Sequence, residues 1–170
     1  MVMLWSAFAR PASAARPCEF SGRDEPQSSP TDRPRRVRFL TDVRAGAHRC
    51  FDRAVFDFDA PGTTPPGYRI QYEPPPIRQD GSGRTVAVAG EAFLVVRMAP
   101  ARDTRVSRGH PEPTYHGPES LAPAGGTRIV EVRHISSFEG TVKWAIGLDQ
   151  RRPYRVSALA SPARLVIDVG

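Results

Sequence analysis

Histidines and carboxylates cluster in the segment HPEPTYHGPE, which runs from His110 to Glu119. Imidazole and carboxylate groups are zinc ligands, but their spacing here matches no established ligand pattern and two prolines stiffen the backbone. We therefore expect no metal and no cofactor, and interpret the segment as a solvated polar loop. Among the aromatic residues of the chain, Tyr115 is the one that we expect to be most exposed, and Tyr115 and His116 are candidate binding residues.

Two aspartates lie in a repeated pattern. Arg53 to Phe58 (RAVFDF) and Arg164 to Val169 (RLVIDV) both read arginine, any residue, valine, apolar, aspartate, apolar. Side chains alternate between the two faces of a strand, so the arginine, valine and aspartate share one face. If the two strands are antiparallel neighbours, Arg53 opposes Asp168 and Asp57 opposes Arg164. Each such pair contributes roughly 0.2–1 kcal/mol.

A pair of carboxylates is also the general acid and base of many hydrolases. Arginine on the same face would lower the pKa values of Asp57 and Asp168 and keep both ionised, which is the wrong state for an acid. We therefore interpret Arg53, Asp57, Arg164 and Asp168 as structural ion pairs and expect the chain not to be an enzyme. Arg53 and Arg164 are also candidate contacts for an anionic ligand.

Trp144 alternates with Val142, Ile146 and Leu148, so it falls with the apolar residues of a strand. This position favours a ring buried between two sheets. The alternative is an exposed ring that stacks on the apolar face of a sugar, which makes Trp144 a further candidate binding residue.

The formal net charge is +6, and arginine supplies nearly all of the positive charge. A basic chain favours acidic partners such as nucleic acid, anionic lipid or an anionic wall polymer. No basic platform rich in aromatic residues is present, so nucleic acid is not expected as a partner. The glycine-rich segments, such as Gly81 to Gly83, lack the strand-to-helix context of a phosphate-binding loop.

Cys18 and Cys50 do not have the spacing of a metal site. They either form a disulfide in an oxidising compartment or remain two free thiols, and the sequence leaves both alternatives open.

Apolar residues alternate with polar ones from residue 37 onward, and no helical stripe of comparable length is present. About nine short strands separated by turn residues predict an all-β sandwich of two small antiparallel sheets over residues 36–170. Residues 99–127 form an unusually long connection, which is typical of a functional or disordered loop. The predicted strands cover residues 37–42, 53–59, 68–72, 85–89, 92–98, 128–135, 141–148, 154–159 and 164–169.

Residues 1–35 precede this domain. Residues 15–35 are rich in proline and serine without periodicity, which predicts a disordered arm. Val2 to Ala9 is an apolar run followed by Ala12-Ser13-Ala14, the small-x-small pattern of a cleavage site, but no positive segment precedes it. We interpret the start as a clipped or atypical signal peptide. No segment reaches the roughly 20 apolar residues of a membrane span, so no transmembrane segment is expected.

RAVFDFD and SPARLVIDVG resemble the paired signatures of the AMIN domain, which occurs beside cell-wall amidases and in pilus secretins. The segments TDVRAGAHRCFDRAVFDFD, PGYRIQYEPPPIRQDGSG and FEGTVKWAIGL resemble more narrowly the AMIN-like domain of secreted actinobacterial proteins. The resemblance covers residues 37–170. It implies a β-sandwich, export to the cell envelope, and a non-catalytic localising or peptidoglycan-binding role.

Together these features predict a non-catalytic, extracytoplasmic module that binds peptidoglycan, an anionic wall polymer or an envelope protein. The alternative is a carrier that holds a small apolar or sugar ligand between its sheets. A lined cavity of several hundred cubic ångströms would favour the carrier, whereas a fully packed core would favour docking. The oligomeric state is left open.

Overall fold

The computed structural model describes residues 17–29, 36–59 and 64–170, and these contain strands and turns but no helix. The described residues therefore contain no helix that could cross a membrane. The proposed signal peptide at residues 2–14 lies outside the described residues. The thirteen strands are β1 (Gln27–Ser28), β2 (Arg38–Ala47), β3 (Asp52–Phe58), β4 (Gly67–Tyr72), β5 (Ala92–Ala99), β6 (Ala101–Arg102), β7 (Thr104–Ser107), β8 (His110–Pro113), β9 (Ser120–Leu121), β10 (Ile129–Phe138), β11 (Thr141–Leu148), β12 (Tyr154–Leu159) and β13 (Ala163–Val169).

The strands form two main sheets. One has six strands in the order β1-β4-β5-β11-β10-β9, and the other has five in the order β12-β13-β3-β2-β6. All pairings are antiparallel except that of β2 with β6, which is parallel. The prediction of an all-β sandwich is confirmed, with larger sheets than expected and a separate hairpin of β7 and β8.

The apolar core lies between the two sheets. Along β3 the residues alternate strictly between buried and half-buried, as the period-two pattern predicted. Trp144 on β11 is fully buried, and its ring meets the edge of Phe56 from the opposite sheet at a centroid distance of 5.8 Å. The hydrophobic effect of closing this interior is what drives the two layers together.

β11 is buried on both faces because the connection between β4 and β5 covers the outer face of the six-stranded sheet. Lys143 holds this cover: its Nζ donates to the carbonyl of Arg78 at 2.8 Å and to Asp80 Oδ1 at 2.9 Å. The strand predicted at residues 85–89 is wrong. Val86 and Val88 alternate because they pack on the outer apolar cluster, and the segment makes an isolated bridge at Thr85 rather than a ladder.

The connection over residues 99–127 is not one long loop, as the sequence had suggested, since β6, β7, β8 and β9 lie within it. The base of the β7–β8 hairpin is fixed to the sandwich. Thr114 Oγ1 donates to the carbonyl of Leu40 at 2.8 Å, and the amide of Thr114 donates to the carbonyl of Asp103 at 2.7 Å. Local pairing and these anchors order a segment whose composition is that of a loop.

Residues 17–29, assigned to the arm from their composition, lie along the sandwich. A disulfide joins Cys18 to Cys50, which settles the alternative that the sequence left open. Arg23 then forms an antiparallel bridge with Tyr154, and β1 pairs with β4 of the other sheet. The arm therefore connects the edges of both sheets, because its backbone groups find partners at strands that would otherwise be unpaired.

Candidate binding surface

The repeated arginine–aspartate pattern lies on the outer face of the five-stranded sheet. β13 pairs with β3 so that Arg53 lies opposite Asp168 and Asp57 lies opposite Arg164, which is the register that the pattern predicted. β2 lies on the other side of β3 and adds Arg44 to the same surface. We call the surface formed by Arg44, Arg53 and Arg164 the arginine face.

Asp168 neutralises one of these arginines. Its side chain is 3% exposed, and its carboxylate accepts hydrogen bonds from Arg53 Nε at 2.6 Å and from Arg155 Nη2 at 2.7 Å. Burial would raise the pKa of Asp168, but the hydrogen bonds from the two guanidinium groups hold that pKa below its ordinary value. The same hydrogen bond raises the pKa of Arg53. Arg53 and Asp168 are therefore a charged pair, as expected.

Asp57 does not pair with Arg164, so the second predicted ion pair is wrong. The carboxylate of Asp57 binds Arg44 from β2 instead, and Arg44 Nε also lies 3.2 Å from Asp42 Oδ2. Arg164 has no carboxylate within ion-pair distance in the described part of the chain, and its buried Nε has no hydrogen-bond acceptor there. Asp57, which lies opposite Arg164, is already neutralised by Arg44. Within the described residues, Arg164 is therefore the arginine of this face that has no carboxylate partner.

A shallow cavity of about 240 Å³ opens between these side chains. Its walls combine guanidinium groups with small and aliphatic residues, and the hairpin between β2 and β3 contributes His48. The imidazole of His48 stacks on Phe51 at 4.5 Å, and the guanidinium of Arg53 lies 5.1 Å from the centre of the same ring. The lining residues are Arg44, Ala45, Gly46, His48, Arg53, Val55 and Arg164.

This arrangement suits binding of an anion. Guanidinium groups form two parallel hydrogen bonds with carboxylate or phosphate, and such charge-assisted bonds are the stronger ones. It does not suit acid–base chemistry by the two aspartates. Asp168 lies opposite Arg53, which is four residues from Asp57 on the same strand. The two aspartates are therefore separated by roughly 13 Å along the strands. Glycosidase carboxylates lie no more than about 9.5 Å apart.

The aromatic candidates lie elsewhere. Trp144 is fully buried, as its alternation with apolar residues favoured, so its ring has no free face on which a sugar could stack. Tyr115 is half-buried rather than exposed: its ring packs edge-on against Trp144 at 5.5 Å and its hydroxyl donates to the carbonyl of Pro118 at 2.7 Å. Burial raises the pKa of Tyr115 to about 12. His116 is exposed, and neither residue lines the cavity of the arginine face.

The histidines of the described residues do not gather with carboxylates into a group of three or more potential metal ligands. His134 lies near Asp103, with Nε2 3.3 Å from Oδ2, and joins β10 to the connection after β6. The neighbouring imidazole of His134 lowers the pKa of Asp103 against the opposing effect of burial. His110 is exposed on the β7–β8 hairpin.

The sequence did not single out Arg44, His48 or Arg155. Arg44 follows Asp42 at a two-residue interval, which places both on one face of a strand, and this interval was an available signal. The ion pair of Arg44 with Asp57 depends on the pairing of β2 with β3, which the repeat did not predict. The position of His48 depends on the hairpin between β2 and β3, where Cys50 forms the disulfide and the ring of Phe51 stacks on the imidazole.

The comparisons with known proteins add one match. The family model of the AMIN-like domain matches residues 38–170, from the first residue of β2 to the residue after β13. The matched range contains both halves of the arginine–aspartate repeat and all strands except β1. No curated protein and no solved structure is significantly similar to the chain.

Proposed function

The chain belongs to the AMIN-like domain family, and from this premise we propose that it is a non-catalytic module that docks onto an anionic cell-wall polymer through its arginine face. Membership of the family makes it a cell-envelope-associated module. The finer assignment, an anionic ligand bound outside the cytoplasm, is our proposal.

The observation that carries this proposal is the uncompensated charge of Arg164. Arg53 and Arg44 have carboxylate partners, whereas the described residues provide none for Arg164. A carboxylate or phosphate entering the cavity would supply the missing counter-charge, and Arg44 and Arg53 add positive potential on either side. Peptidoglycan stem peptides carry carboxylates, so the wall polymer offers this group many times.

The disulfide between Cys18 and Cys50 supports an extracytoplasmic location, because disulfides persist in oxidising compartments and are rare in the cytosol. The proposed absence of catalysis is supported by the separation of Asp57 and Asp168 and by the guanidinium groups that keep Asp168 ionised. An envelope protein is the second class of partner that the family suggests.

Co-sedimentation with purified peptidoglycan tests the proposal. Arg164→Gln removes the uncompensated charge, and we expect it to weaken retention roughly 3- to 10-fold, the effect of one partly exposed charge-assisted contact. Arg69→Gln is the matched control, since it removes the same charge from an exposed position on β4 in the other sheet. It should leave retention nearly unchanged.

Salt provides the second readout. The contact is shallow, so retention of the wild-type chain should fall steeply as ionic strength rises above about 0.1 M, where screening acts within about 10 Å. Equal retention of Arg164→Gln and wild type would contradict the proposal. Retention no better than that of an unrelated protein of the same net charge would contradict it as well.

A further inference from the structure

β12 is the last strand of the five-stranded sheet, and most of its outer edge has no partner strand among the described residues. The arm meets this edge at one point: the amide of Tyr154 donates to the carbonyl of Arg23 at 2.8 Å, and the amide of Arg23 donates back at 3.1 Å. Alternate residues of a strand direct their N–H and C=O groups to the same side. Val156 and Ala158 therefore present their backbone groups at this edge, where no strand of the described residues pairs with them.

The arm shows how this edge accepts a chain. The bridge between Arg23 and Tyr154 is antiparallel. The arm leaves the edge before Arg23, since Cys18 is held at Cys50 by the disulfide. A cleft of about 290 Å³ lies where the arm departs, and its walls include Gly22, Arg23 and Arg155. Within the part of the chain that the structure describes, no segment therefore occupies the positions opposite Val156 and Ala158.

One end of the open edge of β12 is positively charged. Arg155 has 46% of its side chain exposed, and its carboxylate partner, Asp168, is shared with Arg53. Arg23 is exposed, with no carboxylate within ion-pair distance among the described residues. An added antiparallel strand would end beside these two arginines, so a carboxylate at that end would form a favourable cross-strand pair.

The side chains of β12 define the rest of the partner. Val156 packs against the core from the inner face, and Ala158 shares that face, so the residues opposite them should be apolar. Leu159 lies on the outer face with Arg155 and is 40% exposed, which favours an apolar neighbour at the far end. The partner is therefore an extended segment of alternating pattern that ends in an acidic residue.

We propose that β12 is a docking edge, where an extended segment of another protein, with alternating apolar residues and an acidic residue at its end, adds as a sixth, antiparallel strand. Val156 and Ala158 exchange backbone hydrogen bonds with it, as in other cases of strand addition. The proposal does not depend on the arginine face, because the contacts are made by the backbone edge, Arg155 and Arg23 rather than by Arg164.

The test uses the ¹⁵N-labelled full chain and the synthetic peptide acetyl-Ile-Val-Thr-Val-Asp-amide. Its two valines lie opposite Ala158 and Val156, and its aspartate lies opposite Arg155. We expect amide shifts centred on Val156 and Ala158, with a dissociation constant of about 1 mM because few contacts offset the ordering of a short peptide. Replacing the peptide aspartate by lysine should weaken binding at least roughly 5-fold.

Two matched pairs isolate the strand addition. Ala158→Pro removes an N–H that points away from β13, which edge strands tolerate, and should weaken binding roughly 10-fold or more, whereas Ala158→Ser keeps the N–H and should not. Independently of whether that variant folds, a peptide N-methylated on both valines should lose binding. A peptide N-methylated on threonine, whose N–H points outward, should keep it.

Three results would overturn the proposal. One is the absence of shifts at β12 at about 10 mM peptide, a concentration that would populate even a weak complex. Another is equal binding of the two N-methylated peptides. The third is a concentration-dependent dimer through β12 without peptide, which would make a second copy the occupant. Failure here is distinguishable from failure of wall docking, since Ala158→Pro leaves Arg164 and the arginine face unchanged.

Discussion

At the scale of single residues, the arginine face depends on an unequal distribution of counter-charges. Asp168 is shared by Arg53 and Arg155, Asp57 is bound to Arg44, and Arg164 is left without either. Exposed ion pairs contribute little to stability, but a buried carboxylate that loses its partners is costly. The two aspartates therefore stabilise the sheet, while no carboxylate of the described residues neutralises Arg164.

Asp168→Asn tests the stabilising role of this carboxylate. The side chain is 3% exposed and its partners are 36% and 46% exposed, so we expect a loss of about 2 kcal/mol in the free energy of unfolding, below the full value for a buried pair. Urea unfolding at pH 7 measures it. Asp24→Asn removes the exposed pair with Arg151 and should cost less than about 1 kcal/mol.

The pH dependence of the same variant has a definite sign. The pKa of Asp168 is lower in the folded chain, so its ionised form stabilises the fold at pH values above the unfolded pKa of about 3.9. That contribution is lost as the pH falls through the folded value. The difference in unfolding free energy between wild type and Asp168→Asn should therefore shrink below about pH 4. A difference that stays constant between pH 7 and pH 3 would contradict this role.

The sequence predicted part of the residue-scale arrangement. Because strand side chains alternate, the repeat of arginine and aspartate predicted the register of β3 with β13 and the pair of Arg53 with Asp168, on the condition that the two strands are antiparallel neighbours. It could not predict that Arg44 binds Asp57. The ladder of β2 with β3 is irregular between Leu40 and Asp42, and a bulge of this kind shifts facing residues in a way that periodicity does not reveal.

At the scale of elements, alternation located eight of the nine predicted strands, and tertiary contacts account for the errors. Residues 85–89 alternate like a strand, but they cover β11 so closely that a side chain at Gly147 would collide with the carbonyl of Ala89. Asp52 joins the two sheets, since its Oδ2 accepts three backbone N–H groups at residues 127–129. Such a contact, 75 or more residues apart in the chain, has no local signal.

The disulfide is the element-scale feature whose removal should have the largest effect on the arm. Cys18 and Cys50 are 32 residues apart. Closing a loop of that length lowers the conformational entropy of the unfolded chain, which stabilises the folded state by about 3 to 4 kcal/mol. Replacing both cysteines by serine should lower the free energy of unfolding by up to that amount, measured with urea. The far-UV circular dichroism should change little, because both sheets keep their other pairings. An unchanged midpoint of urea unfolding would contradict a stabilising role of the disulfide.

Amide exchange gives the same prediction a local readout. The amides of Arg23 and Tyr154 bond to one another's carbonyls, and the arm reaches this bridge shortly after Cys18. In the serine variant these two amides should exchange faster, while the amide of Ile167 on the neighbouring β13 should keep its protection. Uniform acceleration across the sheet would instead indicate global destabilisation.

At the scale of the whole molecule, the contrast is between the surface of the sandwich and its interior. Among the described residues, four surface cavities of about 240 to 390 Å³ lie against the arm, the arginine face and the cover of the six-stranded sheet. Between the sheets, the ring of Trp144 is met edge-on by Tyr115, by His134 at 5.1 Å and by Phe56. An interior packed in this way favours docking over the alternative of a carrier, in which the ligand enters between the sheets.

Thermal unfolding in the presence of ligands distinguishes a docking module from a carrier. A carrier that binds a ligand at 100 times its dissociation constant gains about 2.7 kcal/mol, which raises the melting temperature by several degrees. We expect no such rise with palmitate or N-acetylglucosamine, and no shift of the Trp144 indole N–H signal, because the ring is fully enclosed by side chains. Soluble muropeptides should instead shift the amides of the arginine face, and Arg164→Gln should weaken that response. A stabilisation by palmitate together with a shifted Trp144 signal would establish a carrier and contradict docking as the function of this sandwich.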